Sequence, residues 1–115
     1  MEPEVVLDAG AVSRCRRRVH LEHDPAMRGV PLPPPDPTAQ QRIADATAHR
    51  EEILRRLMAA TGPDATWATI PRDLPAAERV QRTDAALAEG AGHIWGALFP
   101  VDTAAHRRGG VDLLV

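Results

Sequence analysis

Five of the seven residues from 31 to 37 are proline (Pro31, Pro33, Pro34, Pro35 and Pro37), and no other feature constrains the fold as strongly. Each ring fixes its own φ, removes a backbone donor and pushes the preceding residue out of the helical region. The stretch from Met27 to Pro37 is therefore confined to an extended, polyproline-like course. Too little chain precedes it to bury a core of its own. The prolines are read as a stiff linker, at about residues 27–37, inside a single domain spanning 1–115.

A chain of 115 residues can build one modest core, and here that core must come from Leu, Val, Ile and Ala, since there are only two Trp, one Phe and no Tyr. All 14 basic residues are Arg, and the formal net charge is −2. The overall charge makes no case for nucleic acid, so any basic surface must be local. Without lysine, a mechanism that needs an amine side chain cannot be completed within these residues. The single Cys excludes an intramolecular disulfide. No apolar run approaches the ~20 residues of a membrane span, and the acidic start is unlike a signal peptide. These features lead to the expectation of a soluble, cytoplasmic protein with no membrane partner.

Two helical regions flank the prolines. Asp8 is a good N-cap for a helix from about Ala9 to Leu21, with Val12, Cys15 and Val19 on one side. Arg14, Arg17 and Arg18 share the other side with Arg16 beside them, forming the densest positive patch in the chain. This patch reads either as a solvated face balanced by Glu22 and Asp24 or as a set of phosphate contacts. Past the linker, Thr38-Ala39-Gln40-Gln41 matches a capping box, and the following helix runs to Ala60 before Gly62 closes it. Ile43, Ala46, Ile53, Leu54, Leu57 and Met58 are its apolar positions. His49, three after Ala46 and four before Ile53, should face that stripe, where a histidine is more often a hydrogen-bonded core residue than a ligand.

Strands dominate the remainder. Thr66 to Ile70 is β-branched and aromatic and ends at Pro71. Asp73-Leu74-Pro75 opens a further helix, with Val80 and Leu87 inward and Gly90 as its C-terminal cap. His93 to Phe99 is apolar on both faces, as a central strand would be, with Ile94, Gly96 and Leu98 on one side and Trp95, Ala97 and Phe99 on the other. After a polar connection, Gly109-Gly110 allows a tight turn into Val111-Asp112-Leu113-Leu114-Val115. This pattern predicts a buried strand with Asp112 near the middle of the sheet, where an acid needs a partner or a metal. The class is α+β, with N-terminal helices followed by a small mixed sheet.

In this order the segments Cys15-Arg16-Arg17-Arg18-Val19-His20-Leu21, His49-Arg50, Gly90-Ala91-Gly92-His93-Ile94 and Gly109-Gly110-Val111-Asp112-Leu113-Leu114 resemble the N-terminal part of RecB-like nucleases of the PD-(D/E)XK superfamily. The resemblance spans nearly the whole chain. It implies an incomplete restriction-endonuclease-like core, DNA as partner, and metal-dependent phosphodiester hydrolysis. It further implies Asp112 as the catalytic acid, and Asp112 with His49 as ligands of Mg2+ or Mn2+. Carboxylates hold such an ion, which polarises the scissile phosphate and lowers the pKa of an attacking water. The family's next strand brings an acidic residue, any residue, then Lys, and no Lys occurs among these residues. The catalytic set is thus expected to need the remainder of a truncated polypeptide or a partner chain, leaving this chain inactive alone.

Some family members hold an iron-sulfur cluster with one N-terminal cysteine and three C-terminal ones. Cys15 matches the first, and one thiolate cannot hold a cluster, so an inert core cysteine is the favoured reading. Zinc at Cys15, His20 and His23 fits no established spacing. Outside catalysis, the alternatives are a DNA- or protein-binding module using Arg14, Arg16, Arg17 and Arg18, and a purely structural fragment with an exposed last strand.

Overall fold

The computed structural model describes residues 5–115, so the acidic start, Met1, Glu2, Pro3 and Glu4, lies outside the described residues. Helices accompany a small three-stranded mixed sheet, the α+β class expected from the order of the segments. The chain divides into two compact units: residues up to Gly29 together with Thr66–Val115, and Val30–Ala65.

The smaller unit holds the prolines and one long helix. The extended course of the prolines ends at Asp36, whose carboxylate accepts the Ala39 N–H at 2.7 Å. That cap, with Pro37 at the first helical position, starts the helix before the expected Thr38 box, because proline there needs no partner for its missing N–H. The helix runs Pro37–Ala60, and Gly62 follows its end with φ 82°. Ile53, Leu54 and Leu57 are half-buried, but Ile43, Ala46 and Met58 are exposed, so the apolar stripe is shorter than its sequence pattern. Glu52 bonds both Arg55 and Arg56 at 2.7 Å. These guanidinium groups, Arg55 first, hold its carboxyl down at about 2.

The larger unit is built on the sheet. Labelled within this unit, α1 is Gly10–Ser13, α2 Arg16–His23, β1 Trp67–Thr69, α3 Ala76–Ala88, β2 His93–Leu98 and β3 Gly110–Leu114. The strand order is β1-β2-β3, with β2 parallel to β1 and antiparallel to β3. Central placement of β2 agrees with its apolar composition. Trp67 pairs with His93 in register, and their rings stack with centroids 4.4 Å apart.

Ile70, Ala86, Ile94 and Ala97 form the core, with Ala68, Ala91, Phe99 and Leu114 packed around it. Ile94 and Ala97 are three apart, and strict alternation would put them on opposite faces. Between them lies Gly96, with φ 80°. A Cβ built there would lie 2.4 Å from the Ile70 carbonyl oxygen, so only glycine fits. The left-handed residue breaks the alternation that the sequence suggests.

Helix α3 presents a different inner face from the one expected. Leu87 is exposed and Val80 half-buried; Thr83 and Ala86 are the buried positions. The Thr83 hydroxyl donates to the Arg79 carbonyl at 2.8 Å and accepts the Leu98 N–H at 3.0 Å. A small hydroxyl thus ties helix backbone to strand backbone. Gly90, with φ 71°, caps the helix as its position predicts.

The N-terminal helix is broken rather than continuous. Asp8 accepts the Ala11 N–H at 3.0 Å, but the helix starts at Gly10 with Ala9, not Asp8, at the cap position, and Arg14 and Cys15 are extended and separate α1 from α2. Val12 is consequently 90% exposed instead of lying on an apolar stripe. Leu7 joins the connection before β3, its N–H bonding the His106 carbonyl at 2.8 Å and its own carbonyl accepting from Arg108 at 2.9 Å. Pairing at that distance in sequence has no local signal.

Replacing Gly96 by Ala should cost at least about 2 kcal/mol, through the left-handed backbone and the carbonyl clash together. Thr83→Val, which is isosteric but leaves the Leu98 N–H without its acceptor, should cost about 1–3 kcal/mol. Urea denaturation measures both. A Gly96→Ala variant as stable as the parent would contradict the close approach.

Glu52 gives a pH dependence with a definite sign. Its carboxyl is depressed in the folded chain, so its contribution is complete above the ordinary value of 4.5 and disappears as pH falls towards about 2. Helicity in the smaller unit, followed by circular dichroism, should fall over that window. In Glu52→Gln the fall should be smaller.

Candidate functional site

One cleft on the larger unit brings charged side chains together. It has a volume of about 310 Å3 and is lined by Arg72, Arg79, Ala97, Leu98, Gly110, Val111 and Asp112. Gly110 keeps its floor low, since a Cβ at that position would come within 3.0 Å of the Ala97 carbonyl oxygen.

Arg79 reaches the cleft from α3, one helical turn before Thr83. Its Nη2 donates to the Gly96 carbonyl at 3.1 Å, so the kinked strand holds the guanidinium in place. Its Nε is buried and has no hydrogen-bond partner among the described residues. Arg72 comes from the turn after Pro71 and forms an ion pair with Asp112. Both side chains are about half exposed, at 46% and 57%. An exposed pair of this kind contributes no more than about 1 kcal/mol, so either member can be drawn to a stronger partner.

This placement of Asp112 corrects the expectation of a buried strand. Among the described residues β3 is an edge strand paired only with β2, and Gly110, Val111 and Asp112 on it are exposed. The acid meets solvent and an arginine, not the middle of the sheet. Sequence reasoning missed Arg72 and Arg79. For Arg79 a signal existed: it falls at i−4 from Thr83 on the inner face of its helix, where a charged residue needs a reason.

The arginine-rich helix α2 is partly neutralised. Arg14 and Arg18 bond the two oxygens of Glu22 at 2.9 and 2.8 Å, and Asp8 lies 3.7 Å from Arg14. The Glu22 carboxyl is held below its ordinary value, first by the Arg18 hydrogen bond. Arg16 and Arg17 are exposed and form no ion pair among the described residues. The balanced face expected from Glu22 therefore exists for half of the cluster.

Cys15 is exposed at the start of α2, where its Sγ accepts the Arg18 N–H at 3.3 Å. The break before α2 carries it out of the apolar setting expected of it. His23 donates from Nδ1 to the Val19 carbonyl at 2.8 Å, and His20 lies 3.6 Å from Asp24. His49 is exposed on the long helix of the smaller unit, contrary to the expectation that it faces a buried stripe.

Among the described residues there is no group of three or more His, Cys, Asp or Glu side chains able to hold a metal ion. Among the described residues, Asp112 is the only carboxylate lining the cleft. The residues present therefore do not by themselves make a complete site for a divalent ion. No helix among the described residues is long and apolar enough to cross a membrane. Comparisons with protein-family models, curated proteins and solved structures found no match.

Proposed function

We propose that this chain is part of a metal-dependent DNA nuclease of the RecB-like kind, acting on phosphodiester bonds, with Asp112 as one carboxylate ligand of Mg2+ or Mn2+. The observation that carries this reading is the position of Asp112, exposed on the edge strand and sharing an open cleft with two guanidinium groups. A carboxylate can hold a cation and an arginine can contact a phosphate, two interactions that metal-dependent phosphodiester hydrolysis can use. His49, which the resemblance implies as a second ligand, is an exposed residue of the smaller unit. The other ligands and the lysine would come from residues other than these 115 or from a partner chain. As an isolated chain it would be inactive.

The test uses the natural gene product that contains this chain. It should cleave linear DNA with Mn2+ or Mg2+ and lose cleavage with EDTA. Asp112→Asn, an exposed substitution that leaves the fold intact, should lower the rate by about a hundredfold or more. Unchanged cleavage in that variant would sink the assignment.

Exposure of Arg16 and Arg17 favours a second reading, a non-catalytic module that binds DNA or a protein partner through α2. Binding to a DNA duplex, followed by fluorescence anisotropy, should then weaken steeply with salt and with Arg17→Ala. Glu22→Gln should strengthen it by releasing Arg14 and Arg18, whereas Asp112→Asn should leave it unchanged.

A further inference from the structure

We infer that Arg72 and Arg79 form a phosphate-binding subsite in the cleft beside β3, and that Arg72 passes from Asp112 to the phosphate when the anion arrives. The inference rests on the nuclease reading only for taking the phosphate to be that of a DNA backbone. The anion site itself stands on the geometry of the larger unit.

Three observations converge on it. The cleft lining carries two guanidinium groups and one carboxylate, a formal charge of +1, against −2 for the whole chain. Arg79 is fixed in position, because the Gly96 carbonyl takes one of its five N–H donors and α3 holds its stem. A guanidinium held in place before a ligand arrives loses little freedom on binding. Its Nε–H is buried without an acceptor among the described residues, so the guanidinium is held by fewer bonds than it can make and keeps donors for a ligand.

Arg72 supplies the movable half. Its ion pair with Asp112 is half exposed, and a phosphate competes for it: a monoester with up to two negative charges, a phosphodiester with one charge shared by two oxygens that a guanidinium can bind bidentately. Gly110 adds no side chain to the lining, and the cleft's volume of about 310 Å3 is enough for a tetrahedral anion. Arg14 and the arginines of α2 are distinct from this site, since none of them lines the cleft.

The 115-residue chain itself can be titrated with inorganic phosphate at constant ionic strength while its arginine Nε–H resonances are followed by 15N NMR. A thymidine dinucleotide with a single phosphodiester serves as the second probe. The expected result is saturable shifts of Arg72 and Arg79 with inorganic phosphate, weakened severalfold by Arg72→Gln and by Arg79→Lys. Arg16→Ala should have no effect. Asp112→Asn should tighten phosphate binding severalfold, the opposite of its effect on cleavage in the nuclease reading. If Arg79→Lys loses its fold, the exposed Arg72→Gln variant decides.

Shifts confined to α2, absence of saturation, or weaker binding in Asp112→Asn would overturn the subsite. Saturation by the dinucleotide as well extends it to backbone phosphate, and saturation by inorganic phosphate alone makes it a monoester site. Loss of the nuclease reading, shown by cleavage that survives Asp112→Asn, leaves these phosphate results standing.

Discussion

The Ile70 carbonyl presses against the backbone of Gly96 so closely that no side chain can come between them. The N–H of the same Ile70 bonds the Trp95 carbonyl at 2.9 Å, so the end of β1 is stitched to β2 beside that contact. The approach requires the left-handed backbone at Gly96, and that conformation has two consequences. Ala97 joins Ile94 in one core cluster, and the Gly96 carbonyl becomes an acceptor for Arg79. One glycine thus connects the packing of the sheet to the position of a guanidinium.

The apolar core is small, with four buried hydrophobic residues among those described, two of them alanine. Hydrophobic burial scales with apolar area, and alanine supplies little of it. The polar ties between α3 and β2 therefore carry more of the fixation than they would in a larger core. Thr83 bridges the two backbones while fully buried, and Arg79 adds a second tie one helical turn away. Thr83 accepts from the strand while donating to the helix, and Arg79 donates to the strand. The cleft beside them inherits that rigidity.

Much of the architecture was legible in the sequence because it rests on local rules. The proline run, the long helix, Gly90 as a cap, the central apolar strand and the final strand follow from φ restriction, helix formers and β-branched content. Other features were not legible. Arg14 and Cys15 interrupt the first helix although neither is a breaker, and Asp36 competes with Thr38 for the start of the long helix. Whether the final strand is central or at an edge depends on how many neighbours it acquires, which no pattern within residues 110–115 contains. Of the candidate residues, Asp112 was found by its oddity in an apolar strand. Arg72 and Arg79 were passed over because the eye goes to clusters, and these two are seven apart in sequence and gathered only by the turn and helix between β1 and β2.

The pairing of Asp112 with Arg72 also bears on how a cation and an anion would use the same cleft. Each charge now offsets the other, so a cation approaching Asp112 must displace a guanidinium and an anion approaching Arg72 must displace a carboxylate. Whichever ligand binds first bears the cost of opening the pair, and the second finds its partner already released. By linkage, a cation that raises affinity for the anion is itself bound more tightly in the anion's presence, by the same factor. A lone carboxylate facing two arginines is thus poorly suited to holding a cation unaided. Under the proposed nuclease reading, the cation and the phosphate would each be held more tightly in the other's presence.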